Sequence, residues 1–211
     1  MTRRAYPNAY VSTDEPARGS LARQALGVVA MAGIGYLGVV ILVLSFATAE
    51  YNPVTQYASD YGVGAFAWAM DSGFLLAGIG FCSLALMALL SGAARGARAG
   101  AALLLPAGLA LVLSAFFATD VEGAAPTFHG TVHNVAGVVF FVIAPLGLLL
   151  VNRGIGRERF RIILLALALT VVALSLNGAL ALNVTGLVER MLVLVVFSSA
   201  VLTAKSLYVG R

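Results

Sequence analysis

Six apolar runs, near residues 25–47, 69–91, 99–118, 129–151, 161–181 and 188–208, dominate this chain. Each is long enough to cross a hydrocarbon core about 30 Å thick, which takes about 20 helical residues. In lipid every backbone polar group must be satisfied internally, and unbroken apolar runs of this length do so as helices. Of the 211 residues, 61% are apolar and 10% are charged, against roughly a quarter charged in a soluble domain. The expected fold is all-α: an integral membrane bundle of six transmembrane helices, forming one domain over 25–211 behind a polar cytoplasmic tail at 1–24.

The arginines set the expected orientation. Twelve of the thirteen basic residues fall on one side of an alternating six-helix arrangement, from Arg3 and Arg4 through Arg95, Arg98, Arg153 and Arg157 to Lys205 and Arg211. Arg190 alone falls on the other side. The positive-inside rule then places both termini in the cytoplasm of a cell, expected to be bacterial, with the protein multi-pass in its plasma membrane. A sequence pI near 9.6 does not imply a nucleic-acid partner, because the basic residues are scattered over short loops. Ala47-Thr48-Ala49 resembles a signal-peptidase site, but the preceding apolar run of about 20 residues exceeds a signal core of roughly 7–15. Cys82 is the single cysteine, so no intrachain disulfide forms.

Polar groups gather at the opposite side from the arginines. The acids Glu50, Asp60, Asp71, Asp120, Glu122 and Glu189 are all expected there, with His129, His133, Asn134, Asn177, Asn183 and Arg190. Ionisable groups in or beside a bilayer are costly, so they face a cavity, a partner or a ligand. The inner halves of the spans carry almost nothing ionisable, which disfavours an ion-coupled transporter with a midplane site. Thr127 is placed as an N-cap for the fourth span, with His129 and His133 following on one helix face. The loop at 48–68 carries Tyr51, Tyr57, Tyr61 and Trp68, aromatics suited to the headgroup zone. Glycines in the first two spans, among them Gly33, Gly73, Gly78 and Gly80, suit close helix contacts, and Pro106 and Pro145 are expected to kink their helices.

Phe117-Ala118-Thr119-Asp120 followed by His129-Gly130-Thr131-Val132-His133 resembles the signature of an uncharacterised bacterial multi-pass membrane family, the one numbered 998 among domains of unknown function. Asn52-Pro53-Val54-Thr55 with Ser59-Asp60-Tyr61-Gly62, and Gly186 to Arg190, match two further segments of that family. The resemblance implies a six-helix membrane fold and no established activity.

Two readings of the polar site follow. In the first, Asp120, His129, His133 and Arg190 belong to a site that binds a lipid or another ligand, or that serves an accessory membrane protein. Asp60, Asp71, Glu189 and Arg190 are its candidate ligand contacts. Asp120 tied to Arg190, and histidines bonded to loop backbone and Asn177, would lock that end of the bundle. Membrane lipids are the expected surroundings, and a membrane-protein partner or a second copy of the chain are further candidates. In the second, Asp120, His129 and His133 are catalytic and hold zinc, with a bound water as nucleophile in hydrolysis of an outer-leaflet lipid or amide. That reading has a loose likeness to alkaline-ceramidase-like membrane hydrolases through Ser114, Asp120, His129 and His133, but lacks their third histidine and seventh span. Two histidines four apart on one helix cannot clamp a haem between them.

Overall fold

A computed structural model describes residues 14–48, 51–91, 95–121, 123–155, 163, 172, 177 and 180–209. Within these run α1 (Asp14–Ala47), α2 (Ala67–Leu90), α3 (Arg95–Phe116), α4 (Phe128–Gly154) and α5 (Thr185–Val209), with a 3₁₀ turn at Ala58–Gly62 between α1 and α2. All five α-helices are long and apolar enough to cross a membrane. No strand occurs among the described residues, so the all-α expectation holds. The expected span at 161–181 lies almost wholly outside the described residues, although Ile163, Val172, Asn177 and Leu180 within it are helical. Glu50 and Glu122 also lie outside them.

The first helix begins at Asp14, inside the segment expected to be a polar tail. Only Leu21–Ala47 is apolar enough to span. Bilayer thickness sets the length of that apolar part, not of the helix. Pro16 falls in the first turn, where a missing N–H breaks no helical bond.

Large apolar side chains cover the outside of the bundle: Val39, Leu42, Leu109, Val135, Val142 and Leu194 are all exposed. A surface this apolar on every helix is stable only against lipid, so the chain is an integral, multi-pass membrane protein. Inside, α2 is the most buried helix. It packs between α1 and α3, α3 packs on α4, and α5 lies along α1. Close approach of backbones makes these contacts. A Cβ built on Gly108 of α3 would lie 2.8 Å from the Gly78 carbonyl oxygen of α2, and one on Gly80 would lie 3.1 Å from the Ala30 carbonyl oxygen of α1. Both are tighter than ordinary van der Waals contact, so only glycine fits without a shift. Pro106 and Pro145 lie inside α3 and α4, which continue through them.

Packing elsewhere is carried by aromatics. Phe81 of α2, Phe140 of α4 and Phe197 of α5 meet edge-on or tilted, with ring centroids 5.1, 6.0 and 6.2 Å apart. Such geometry adds roughly 0.5–1.5 kcal/mol per pair beyond burial. This aromatic plug closes the middle of the bundle. Toward the far end from the long loops, Asn152 of α4 is fully buried and donates to Thr203 Oγ1 of α5 at 2.8 Å.

Candidate functional site

The end of the bundle carrying the α1–α2 and α3–α4 loops holds two polar assemblies. The first fastens the α3–α4 loop to the start of α4. Thr127 has extended backbone angles and its hydroxyl accepts from the Gly130 N–H at 3.1 Å, as an N-cap does. Asp120 then accepts from Thr127 twice, from its hydroxyl at 2.6 Å and its backbone N–H at 3.0 Å. These bonds hold the Asp120 carboxyl below its ordinary range, the hydroxyl contributing most, with His129 nearby adding to the effect. A Cβ on Gly130 would overlap the Asp120 carboxylate. The glycine between the two histidines thus makes room for the loop's acid.

The second assembly fastens the α1–α2 loop to α5. Asn52 and Gln56 close a turn on themselves: the Asn52 N–H donates to Gln56 Oε1 at 2.7 Å, and the Gln56 N–H returns to the Asn52 carbonyl at 2.9 Å. Arg190 donates from all three guanidinium nitrogens. Its acceptors are Ser45 Oγ at 3.2 Å, the Gln56 carbonyl at 2.8 Å, the Gly186 carbonyl at 3.1 Å and the Tyr61 hydroxyl at 3.1 Å. Next to it in sequence, Glu189 accepts from the Ala58 N–H at 2.5 Å, and Leu187 N–H donates to the Val54 carbonyl at 3.0 Å. Asn177 braces the approach to α5, donating to Thr185 Oγ1 and accepting from the Val184 N–H.

Between these fastenings lies a cavity of about 390 Å³, within the roughly 300–1,000 Å³ of small-molecule sites. Its body is apolar, with Leu37, Ile41, Met70, Phe74, Leu111 and Val193 among its walls and Phe140 and Phe197 of the aromatic plug at its depth. Its collar is polar: Tyr57, Ser59, Ser114, Thr119, His133, Asn134 and Glu189. Glu189 and Phe197 are eight residues apart on α5, so the cavity runs about 12 Å down the bundle. Asn134 and Val138, both exposed, bring its edge to the surface along α4. Gly137 belongs to the same wall, and a Cβ there meets nothing within 4 Å.

His133 of α4 is buried at this end of the bundle, at 6% exposed. Its Nδ1 lies 2.8 Å from the Phe117 carbonyl oxygen. A carbonyl only accepts, so Nδ1 carries the proton, and in the neutral ring Nε2 is left as an acceptor. The ring packs edge-on to Phe74 at 5.6 Å. Asp71 of α2 stands within electrostatic reach of it. Tyr57, on the loop above, has its phenol raised above the ordinary value, first by burial and then by the charges of Glu189 and Asp60.

The residues expected to form one site are therefore divided. His133 and Glu189 share the cavity. Asp60 and Asp120 border a separate depression of about 320 Å³ with Tyr51 and Gln56. His129 is exposed and packs against Phe117 and Phe128. The alternative tie of Asp120 to Arg190 is not formed: Thr127 occupies the acid, and the loop and Ser45 occupy the arginine. The histidine bond to loop backbone is formed by His133, whereas Asn177 serves α5. Among the described residues no group of three or more His, Cys, Asp or Glu stands close enough to share a metal ion. Asp120, His129 and His133 do not converge, because the acid caps a helix, one ring lies on the surface and the other points inward.

Sequence reading did not single out Ser45, Tyr57, Ser59 and Tyr61 as site residues. Their signal was the density of hydroxyls in and before the α1–α2 loop, which aromatic-belt reasoning absorbed. The carbonyls of Gln56 and Phe117 carry no sequence signal at all.

A family model described as "Protein of unknown function (DUF998)" matches residues 29–205. No curated protein and no solved structure matches the chain.

Proposed function

The chain belongs to that family of proteins of unknown function, and from the geometry of its long-loop end we propose that it binds an amphiphilic small molecule within the membrane. The observation that carries the reading is the cavity of about 390 Å³, apolar in body and polar at its collar. A ligand with a tail against Phe74, Phe140 and Phe197 and a head beside His133 and Glu189 matches that division. The edge along α4 supports entry sideways from the lipid, between helices, rather than through the tied loop.

The same reading takes the bundle as six-spanning, in a plasma membrane, with both termini in the cytoplasm and the cavity toward the outer leaflet. Cysteine placed at the exposed Val121 then reacts with an impermeant maleimide on intact cells, and cysteine at Arg153 does not. The reverse pattern refutes the orientation.

The binding itself is tested by photo-crosslinking in membranes with an amphiphile carrying a diazirine near the tail end. Adducts are expected on peptides containing Phe140–Phe141 and Val193–Phe197. Adducts spread evenly over lipid-facing positions such as Leu109 and Val142 would refute a defined pocket.

A further inference from the structure

We propose that the cavity selects a single-chain amphiphile whose headgroup is a protonated amine. The inference rests on the pocket reading above and adds the sign of charge that the pocket prefers. The collar contains one carboxylate, Glu189, and no lysine or arginine lines the cavity among the described residues. Arg190 follows Glu189 directly, yet it is absent from the walls, and each of its three nitrogens is held by a protein acceptor. The cation a phosphate or carboxylate headgroup would require is thus committed elsewhere.

What the collar offers instead is acceptors. Glu189 has one carboxylate oxygen on the Ala58 N–H, and its other oxygen has no hydrogen-bond partner among the described residues. His133 is nine-tenths buried and lines the cavity. Its Nδ1 is committed to the Phe117 carbonyl, and its Nε2 has no partner among the described residues. A carboxylate oxygen without a donor on the wall of a cavity is satisfied by a headgroup with several N–H bonds. An ammonium supplies three, and its bond to a carboxylate is charge-assisted, hence shorter and stronger than a neutral one. An anionic headgroup would find no lysine or arginine among the described wall residues to pair with. Tyr57, Ser59 and Thr119 add hydroxyls that adapt to either role and do not reverse the preference.

The test uses the full-length protein in zwitterionic nanodiscs. Binding of dodecylamine, dodecanol, dodecanoate and dodecyl phosphate is measured against the Gly137→Phe chain, in which the cavity is filled, to remove simple partitioning. Dodecylamine is expected to bind about tenfold more tightly than dodecanol, and both anions more weakly than the alcohol. Glu189→Gln, which keeps an acceptor for Ala58, is expected to erase the gap between amine and alcohol. The headgroup series on the native chain is decisive even if that variant fails to fold. Equal or tighter binding of dodecanoate or dodecyl phosphate overturns the proposal, as does an amine preference that survives Glu189→Gln. If the native and Gly137→Phe chains bind every probe alike, the pocket reading itself falls.

Discussion

Removing the Arg190 guanidinium tests whether the α1–α2 loop is anchored as described. Four acceptors surround it, but they do not lose equally. The Gly186 carbonyl lies four residues back on the same helix and keeps the backbone N–H of residue 190. Ser45 Oγ keeps its own bond to the Ile41 carbonyl at 2.7 Å. The Gln56 carbonyl and the Tyr61 hydroxyl, on a ring only 1% exposed, lose a charged donor. At about 1.5 kcal/mol for each such bond, the low end for charged donors at a partly exposed site, Arg190→Ala should destabilise by about 3 kcal/mol. For a chain of this length that corresponds to roughly 6–12 °C in Tm. Arg190→Lys restores a single point donor without the planar fork and should lose about half as much. Cys82, the only cysteine, sits in α2 with its Sγ 3.9 Å from the Leu105 carbonyl. A maleimide that fluoresces on reaction therefore reports unfolding directly in detergent. An Arg190→Ala chain melting within about 2 °C of the native one would refute the anchoring account.

Gly130→Ala is expected to destabilise even though alanine favours a helix by about 1 kcal/mol over glycine, because its methyl would overlap the Asp120 carboxylate. In an Asp120→Ala background the same change should become neutral or stabilising, a coupling read by a double-mutant thermal cycle. Asp120 also predicts a pH response. Its folded carboxyl is held below the ordinary value, so its contribution is complete above about pH 4 and is lost as pH falls through the lowered value. Native Tm should therefore drop more steeply below about pH 4 than that of Asp120→Asn, and parallel curves would contradict the Thr127 contacts.

The architecture was legible because lipid imposes a length on every apolar run, and α2 to α5 begin and end within a few residues of the expected positions. The cap at Thr127 was legible for a local reason, since its hydroxyl needs only the N–H three residues on. The site was legible in level but not in grouping. Helix periodicity puts His129 and His133 on one face, yet one turn of depth separates a surface ring from a buried one. The adjacent Glu189 and Arg190 diverge because neighbouring helical positions point about 100° apart, one to the cavity and one to Ser45 and Tyr61. Which way each turned depended on where the α1–α2 loop folds back, through backbone bonds such as Leu187 to Val54. Those bonds use no side chain, so no residue type announces them.

The central claim is that the cavity beneath that loop holds an amphiphile, and Gly137 is the position that isolates it. The residue lines the cavity and a Cβ there meets open space within 4 Å, so Gly137→Phe should fill the site while sparing the helix contacts. Native mass spectrometry of the delipidated protein titrated with dodecylamine is the direct measurement. The account predicts a saturable adduct on the native chain that is lost in Gly137→Phe at an unchanged Tm. Equal adducts on both chains would contradict it.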